Sequence, residues 1–147
     1  MPFSTDTRRF AVALRQHALE MTSAHIGSVF SCADLLAVLY GGWLRVCPEE
    51  PRWAARDRFI LSKGHAGAGV YAALALRGFF PLAWLETHGQ DGALLSGHVS
   101  HRGIPGVEFS TGSLGHGLSV AAGMALAATR EDSTREDASH RVVALLS

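Results

Sequence analysis

Phe109 to Ser119, F-S-T-G-S-L-G-H-G-L-S, places Gly112, Gly115 and Gly117 among Ser110, Thr111 and Ser113, directly ahead of an apolar segment, Leu118 to Thr129. A turn so poor in side chains can bring bare backbone against a ligand. The helix it feeds presents free N–H groups and the positive end of its dipole. Such a turn suits a phosphate or another electron-rich group. Three further small-residue turns carry histidine: Ala24-His25-Ile26-Gly27, Ser62-Lys63-Gly64-His65-Ala66 and Ser96-Gly97-His98. These four stretches are expected to converge on one phosphorylated cofactor.

The segments between them read as helices and buried strands. Phe10, Leu14, Ala18 and Met21 recur at helical spacing, with Thr5 or Asp6 as the expected cap and His17 at the edge of the apolar face. Ser31-Cys32-Ala33-Asp34 has the form of a capping box ahead of Leu35 to Tyr40, and Gly41-Gly42 ends that helix. The charged run Glu49, Glu50, Arg52, Arg56, Asp57, Arg58 is expected to be a solvated surface. Phe59-Ile60-Leu61 and Arg141 to Ser147 fit strands of a buried parallel sheet. Between them, Ala66 to Arg77 reads as a helix packed closely on that sheet and stopped by Gly78. Pro81 to Glu86 can make one or two helical turns. Thr87 to Val107, rich in glycine and histidine, reads as a long loop, and Glu131 to His140 as a charged surface link.

These elements give an α/β fold, a parallel sheet with flanking helices, within one domain spanning residues 1–147. In such sheets ligands bind beyond the carboxyl ends of the strands. The two strands are too few to cover a sheet, so the fold is expected to be incomplete within this chain. At 48% hydrophobic and 18% charged residues, a packed core is expected rather than disorder. Thirteen basic and thirteen acidic residues balance, and no groove-binding motif appears, which argues against nucleic acid. The most apolar window, Val120 to Ala128, is too short to span a bilayer, and the first ten residues lack the apolar stretch of a signal peptide. Cys32 and Cys47 fit neither a zinc nor a disulfide pattern. The expected location is the cytoplasm, with no membrane partner.

Three histidines in similar turns, in one chain with a phosphate-type loop, point to a shared role more strongly than any one alone. Rival chemistries are less well served. His98 and His101 could ligate a metal, but no third ligand and no C-x-x-C pair accompany them. G-S-L-G-H-G is not the G-x-S-x-G of a hydrolase, no Gly-Lys-Ser/Thr follows, and G-x-G-x-x-G is missing.

The runs D-R-F-I-L-S-K-G-H-A (Asp57 to Ala66), Q-D-G-A-L-L-S-G-H (Gln90 to His98) and P-G-V-E-F-S-T-G-S-L-G-H-G-L-S (Pro105 to Ser119) together resemble the N-terminal, diphosphate-binding domain of transketolase. H-I-G-S (His25 to Ser28) is similar to that family's first active-site turn. The resemblance covers about Phe10 to Ser147 in the family's order, and is closest to the N-terminal half of bacterial split transketolases. Departures from the pattern are His88-Gly89 in place of Phe-Arg, Val99 in place of proline and His116 in place of glutamine.

The resemblance implies thiamine diphosphate with Mg²⁺ or Ca²⁺, and transfer of a two-carbon ketol unit from a ketose to an aldose or their phosphates. Carried over by motif, His65 contacts the diphosphate. Gly112, Ser113 and Leu114 hold the aminopyrimidine and thiazolium rings. His25 and His98 are the catalytic residues facing the donor sugar. The family's metal motif, Gly-Asp-Gly, would follow Leu146-Ser147. The metal ligands and the pyrimidine-binding domain are therefore expected on a companion chain, in a hetero-oligomer built on a dimer. Alternatives are another thiamine diphosphate enzyme, such as deoxyxylulose-phosphate synthase, or a non-catalytic assembly partner lacking the metal loop.

Overall fold

The computed structural model describes residues 5–21, 24–132 and 140–147. In chain order the regular elements are helices α1 (Thr5–Glu20), α2 (Ile26–Phe30) and α3 (Ala33–Val38), strand β1 (Arg58–Leu61), helices α4 (Gly67–Leu76) and α5 (His116–Asp132), and strand β2 (Val142–Leu145). β1 and β2 pair in parallel, Arg58 opposite Val142 through Leu61 opposite Leu145. This is the expected α/β arrangement, a parallel sheet with flanking helices, but the helix along the strands is α5; α4, expected closely on the sheet, packs mainly among α1, α2 and α3. Residues 133–139, most of the expected charged link, lie outside the described residues, as does Ser23, which directly precedes the first histidine turn.

α1 presents Leu14, Ala18 and Met21 to the core, and this face packs on α3 and α4. Thr5 and Asp6 lie inside its first turn rather than capping it. His17 keeps its expected place at the edge, where Nδ1 meets Glu20 Oε2 at 2.9 Å. α4 is buried on every side from Gly67 to Ala75, as a uniformly small and apolar helix must be. Gly78, at φ 87°, ends it. α5 lies along both strands.

Two further expectations need correction. The Ser31 capping box does not form. Ser31 has φ −60° and ψ −21°, a helical backbone rather than the extended one an N-cap requires, because α2 runs almost directly into α3. Its hydroxyl donates instead to the Ser28 carbonyl at 2.8 Å, and Asp34 pairs with Arg15 at 2.6 Å. The charged run before β1 is not wholly solvated either. Glu49, Glu50 and Arg52 are exposed, but Arg56 and Asp57 are buried.

Asp57 accepts hydrogen bonds from the backbone N–H of Arg45 (2.7 Å) and Arg141 (2.8 Å) and from the Arg141 guanidinium (2.5 and 3.1 Å). That guanidinium also lies 3.8 Å from the centre of the Trp43 ring. Burial pushes the Asp57 carboxyl up. The Arg141 side chain and the two N–H donors outweigh it and hold the group below the ordinary aspartate range. Arg56 and Arg58 both pair with Glu108. This network ties the N-terminal ends of the two strands together and leaves their carboxyl ends to the loops.

Candidate functional site

Those loops bring the histidine turns to one place. β1 ends at Leu61, and Gly64–Ala66 forms a single 3₁₀ turn that carries His65. Gly64 is required there, because a Cβ would overlap the Thr111 carbonyl. His25 sits at the start of α2, and its ring centre is 5.2 Å from that of His65 and 6.5 Å from that of His98. His98 is placed by α4. The Tyr71 hydroxyl, buried in the core, donates to the His98 carbonyl at 2.9 Å and accepts from the Ser100 N–H at 2.8 Å. Ser96 Oγ donates to the same carbonyl at 2.7 Å. Val99 N–H donates to Gly64 O at 3.0 Å, and the chain passes so close to Gly67 that a Cβ there would lie 2.7 Å from Val99 N.

The glycine-rich segment runs past the same histidines. Thr111 is its buried anchor: Oγ1 donates to the Leu61 carbonyl at 2.5 Å, and its N–H donates to Val99 O at 3.3 Å. Gly112 follows beside His98, with space at its Cβ position 3.7 Å from the His98 ring. Ser113 and Leu114 are exposed, Leu114 at 62%. The segment is pinned again where Gly117 N–H donates to Ser62 Oγ at 3.1 Å. His25, His65, His98 and the Gly112–Leu114 bed thus meet at the carboxyl ends of the strands.

His65 Nε2 lies 2.7 Å from Ser28 Oγ. Burial, and then the neighbouring His25, Lys63 and His98, hold the His65 imidazole below the ordinary histidine value. This favours the neutral ring, in which one nitrogen donates and the other accepts. A cavity of about 350 Å³ opens between His25 and His98, lined also by Met21, Ala24, His88, Gly89 and Gly97.

His101 does not join His98. Its Nδ1 lies 2.7 Å from Ser110 Oγ. Among the described residues no group of three His, Cys, Asp or Glu side chains is arranged to hold a metal ion. Also among them, no helix is long and apolar enough to cross a membrane.

Ser28, Ser31, Lys63, Tyr71 and Thr111 all shape the site, and no pattern in the sequence singles them out for that role. Their neighbours in the turns are the available signal. A small hydroxyl three or more residues from a site histidine has no local pattern that distinguishes it from a surface serine.

Known proteins are similar to this chain in sequence and fold. The family model "Transketolase, thiamine diphosphate binding domain" matches residues 6–144. The 6-deoxy-6-sulfo-D-fructose transketolase subunit SqwG of Clostridium sp. (strain MSTE9) is 42% identical over 126 residues, which cover 83% of this chain and 46% of that one. An apulose-4-phosphate transketolase subunit from Phocaeicola vulgatus is 45% identical over 106 residues, covering 72% and 37%. The crystal structure of transketolase from Campylobacter jejuni superposes with a TM-score of 0.88 at 31% identity, over 98% of this chain and 24% of that one. Transketolase from Leishmania mexicana gives 0.90 at 30%, over 98% and 23%. The chain spans less than half the length of these curated relatives.

Proposed function

Because this chain belongs to the transketolase family as its thiamine diphosphate-binding domain, we propose that it is one subunit of a split transketolase that moves a two-carbon ketol unit from a ketose, or its phosphate, to an aldose. The observation that carries this reading is the meeting of His25, His65 and His98 with the Gly112 segment at the carboxyl ends of two parallel strands. The residues suit the cofactor. A diphosphate needs donors, and Lys63, the imidazoles and the N–H groups of a glycine-rich turn supply them. Flat rings need a bed without bulky polar side chains, and Gly112-Ser113-Leu114 is one.

When bound, thiamine diphosphate supplies the nucleophilic carbon and the electron sink that cleavage beside a ketone requires. The chain's own side chains do the rest. His65, neutral and steadied by Ser28, donates to the diphosphate. Leu114 offers apolar surface to the rings. His25 and His98, on either side of the cavity, face the sugar. There an imidazole accepts a hydroxyl proton as a carbonyl forms and returns it in the second half of the reaction. Donors aimed at the oxygen on which charge develops also favour the transition state. We assign the Mg²⁺ or Ca²⁺ ligands and the pyrimidine-binding domain to a companion chain. The relatives' own names, which call each of them a subunit, support that division.

The test combines this chain, its companion, thiamine diphosphate and Mg²⁺, and follows ketol transfer from a ketose phosphate. Transfer that needs both chains and the cofactor is the expected result. A mixture that binds no thiamine diphosphate refutes the reading.

A further inference from the structure

His88 lines the cavity between His25 and His98, yet it plays no part in the proton transfers given to those two. Its place is fixed. The His88 N–H donates to the Leu85 carbonyl at 3.2 Å, and the Gly89 N–H to that of Leu95 at 2.9 Å, which holds the turn. The ring lies edge-on to Tyr71, with centres 6.0 Å apart.

The hydrogen bonding of this ring is incomplete. Nε2 is buried with no partner among the described residues. The main-chain carbonyls of Met21 and Ser96 stand beside the ring, but burial outweighs them and holds the imidazole below the ordinary histidine value. That favours the neutral ring, with one N–H and one lone pair. The two carbonyls can take the N–H. The lone pair finds no donor beside them, because the Tyr71 hydroxyl already donates to the His98 carbonyl. An unmet polar group is costly unless something completes it. The side from which a donor can arrive is the cavity.

Beyond His25 and His98 the cavity walls are Met21, Ala24, His88, Gly89 and Gly97. A Cβ at Gly89 or Gly97 would meet nothing within 4 Å, so the way past them is open. A sugar with its reacting carbons at His25 and His98 has room to extend to His88. Resting on the sugar-facing role of those two residues, we propose that His88 is a specificity-determining residue, its ring accepting a hydrogen bond from a sugar hydroxyl beyond the reacting carbons. A neutral lone pair welcomes a hydroxyl there and disfavours a phosphate or sulfonate oxygen. The proposal therefore assigns this wall to the uncharged, hydroxylated part of the substrate.

The test compares ketol transfer by the assembled enzyme from a ketose and from its singly deoxygenated analogues. His88→Phe keeps a ring against Tyr71 and removes the unpaired nitrogen, so the melting temperature should hold or rise. Its kcat/KM for the full ketose should fall about tenfold. For the analogue that lacks the hydroxyl in question, variant and wild type should be equal. His88→Gln retains an acceptor and should recover part of the loss. Thiamine diphosphate affinity should not change in either variant. Unchanged kcat/KM for every sugar in His88→Phe overturns the proposal. So does an equal loss for all of them with no recovery in His88→Gln, which would leave the imidazole a packing residue only. A wild-type assembly that transfers no ketol unit refutes the proposed function, and this assignment with it.

Discussion

At the N-terminal ends of β1 and β2, Asp57 and Arg56 are buried with oppositely charged partners, Arg141 and Glu108. At the carboxyl ends of the same two strands, the side chains of Lys63 and His65 hydrogen-bond, among the described residues, only to serine hydroxyls. The first end is complete within the chain and acts as a latch. The second has donors to spare and holds the His25 ring centre 5.2 Å from that of His65 and 6.5 Å from that of His98. Satisfied charge holds a fold together, whereas unsatisfied charge of one sign is an affinity for something else. The contrast assigns stability to one end and binding to the other, and substitutions should separate the two.

The largest effect is expected at the latch. Asp57→Ala strands the Arg141 guanidinium and two backbone N–H groups, and should cost about 3 kcal/mol. Thermal unfolding measures that loss, while the fraction that remains folded should bind thiamine diphosphate with unaltered affinity. Gly64→Ala comes next and should blur the contrast. The new Cβ collides with the Thr111 carbonyl, costing about 1–3 kcal/mol. It also displaces Gly112, so the melting temperature and cofactor affinity should fall together. Tyr71→Phe removes one hydroxyl that holds the His98 backbone. Its stability cost should be about 1 kcal/mol, with kcat reduced more than cofactor affinity.

The smallest effect is in pH. The His65 imidazole is held below its ordinary value, so the unfolded chain binds its proton more readily. The stability that the neutral ring retains is present above about pH 6.5 and is lost as pH falls below that. Asp57 acts lower. Its depressed carboxyl contributes fully above about pH 4 and fails as pH drops through its folded value. In denaturant titrations across pH, His65→Ala should reduce the upper slope, to which half-buried His88 also contributes, and leave the lower one.

The binding end is more legible in the sequence than the latch. Glycine beside histidine in short turns is a local pattern, and three such turns with one phosphate-type loop can be recognised before their contacts are known. β1 and α4 are equally plain, because Phe59-Ile60-Leu61 and the small apolar run after His65 announce their own burial. Asp57 is hidden because its partner stands 84 positions away, and a carboxylate amid arginines looks like any solvated surface. Ser31 misleads for the opposite reason. Its local capping pattern is good, but continuity with α2 and the Lys63 ammonium claim the hydroxyl. Thr111 and Tyr71 act through single contacts with backbone carbonyls, which leave no periodicity to detect.

Histidine-selective NMR of the protein titrated with thiamine diphosphate and Mg²⁺ tests the division between the two ends most directly. The resonances of His25, His65 and His98 should move together at the cofactor's own binding midpoint, while His17, paired with Glu20 on α1, stays in place. Saturable binding that left those three rings unmoved would contradict the account, because the cofactor would then sit elsewhere on the molecule.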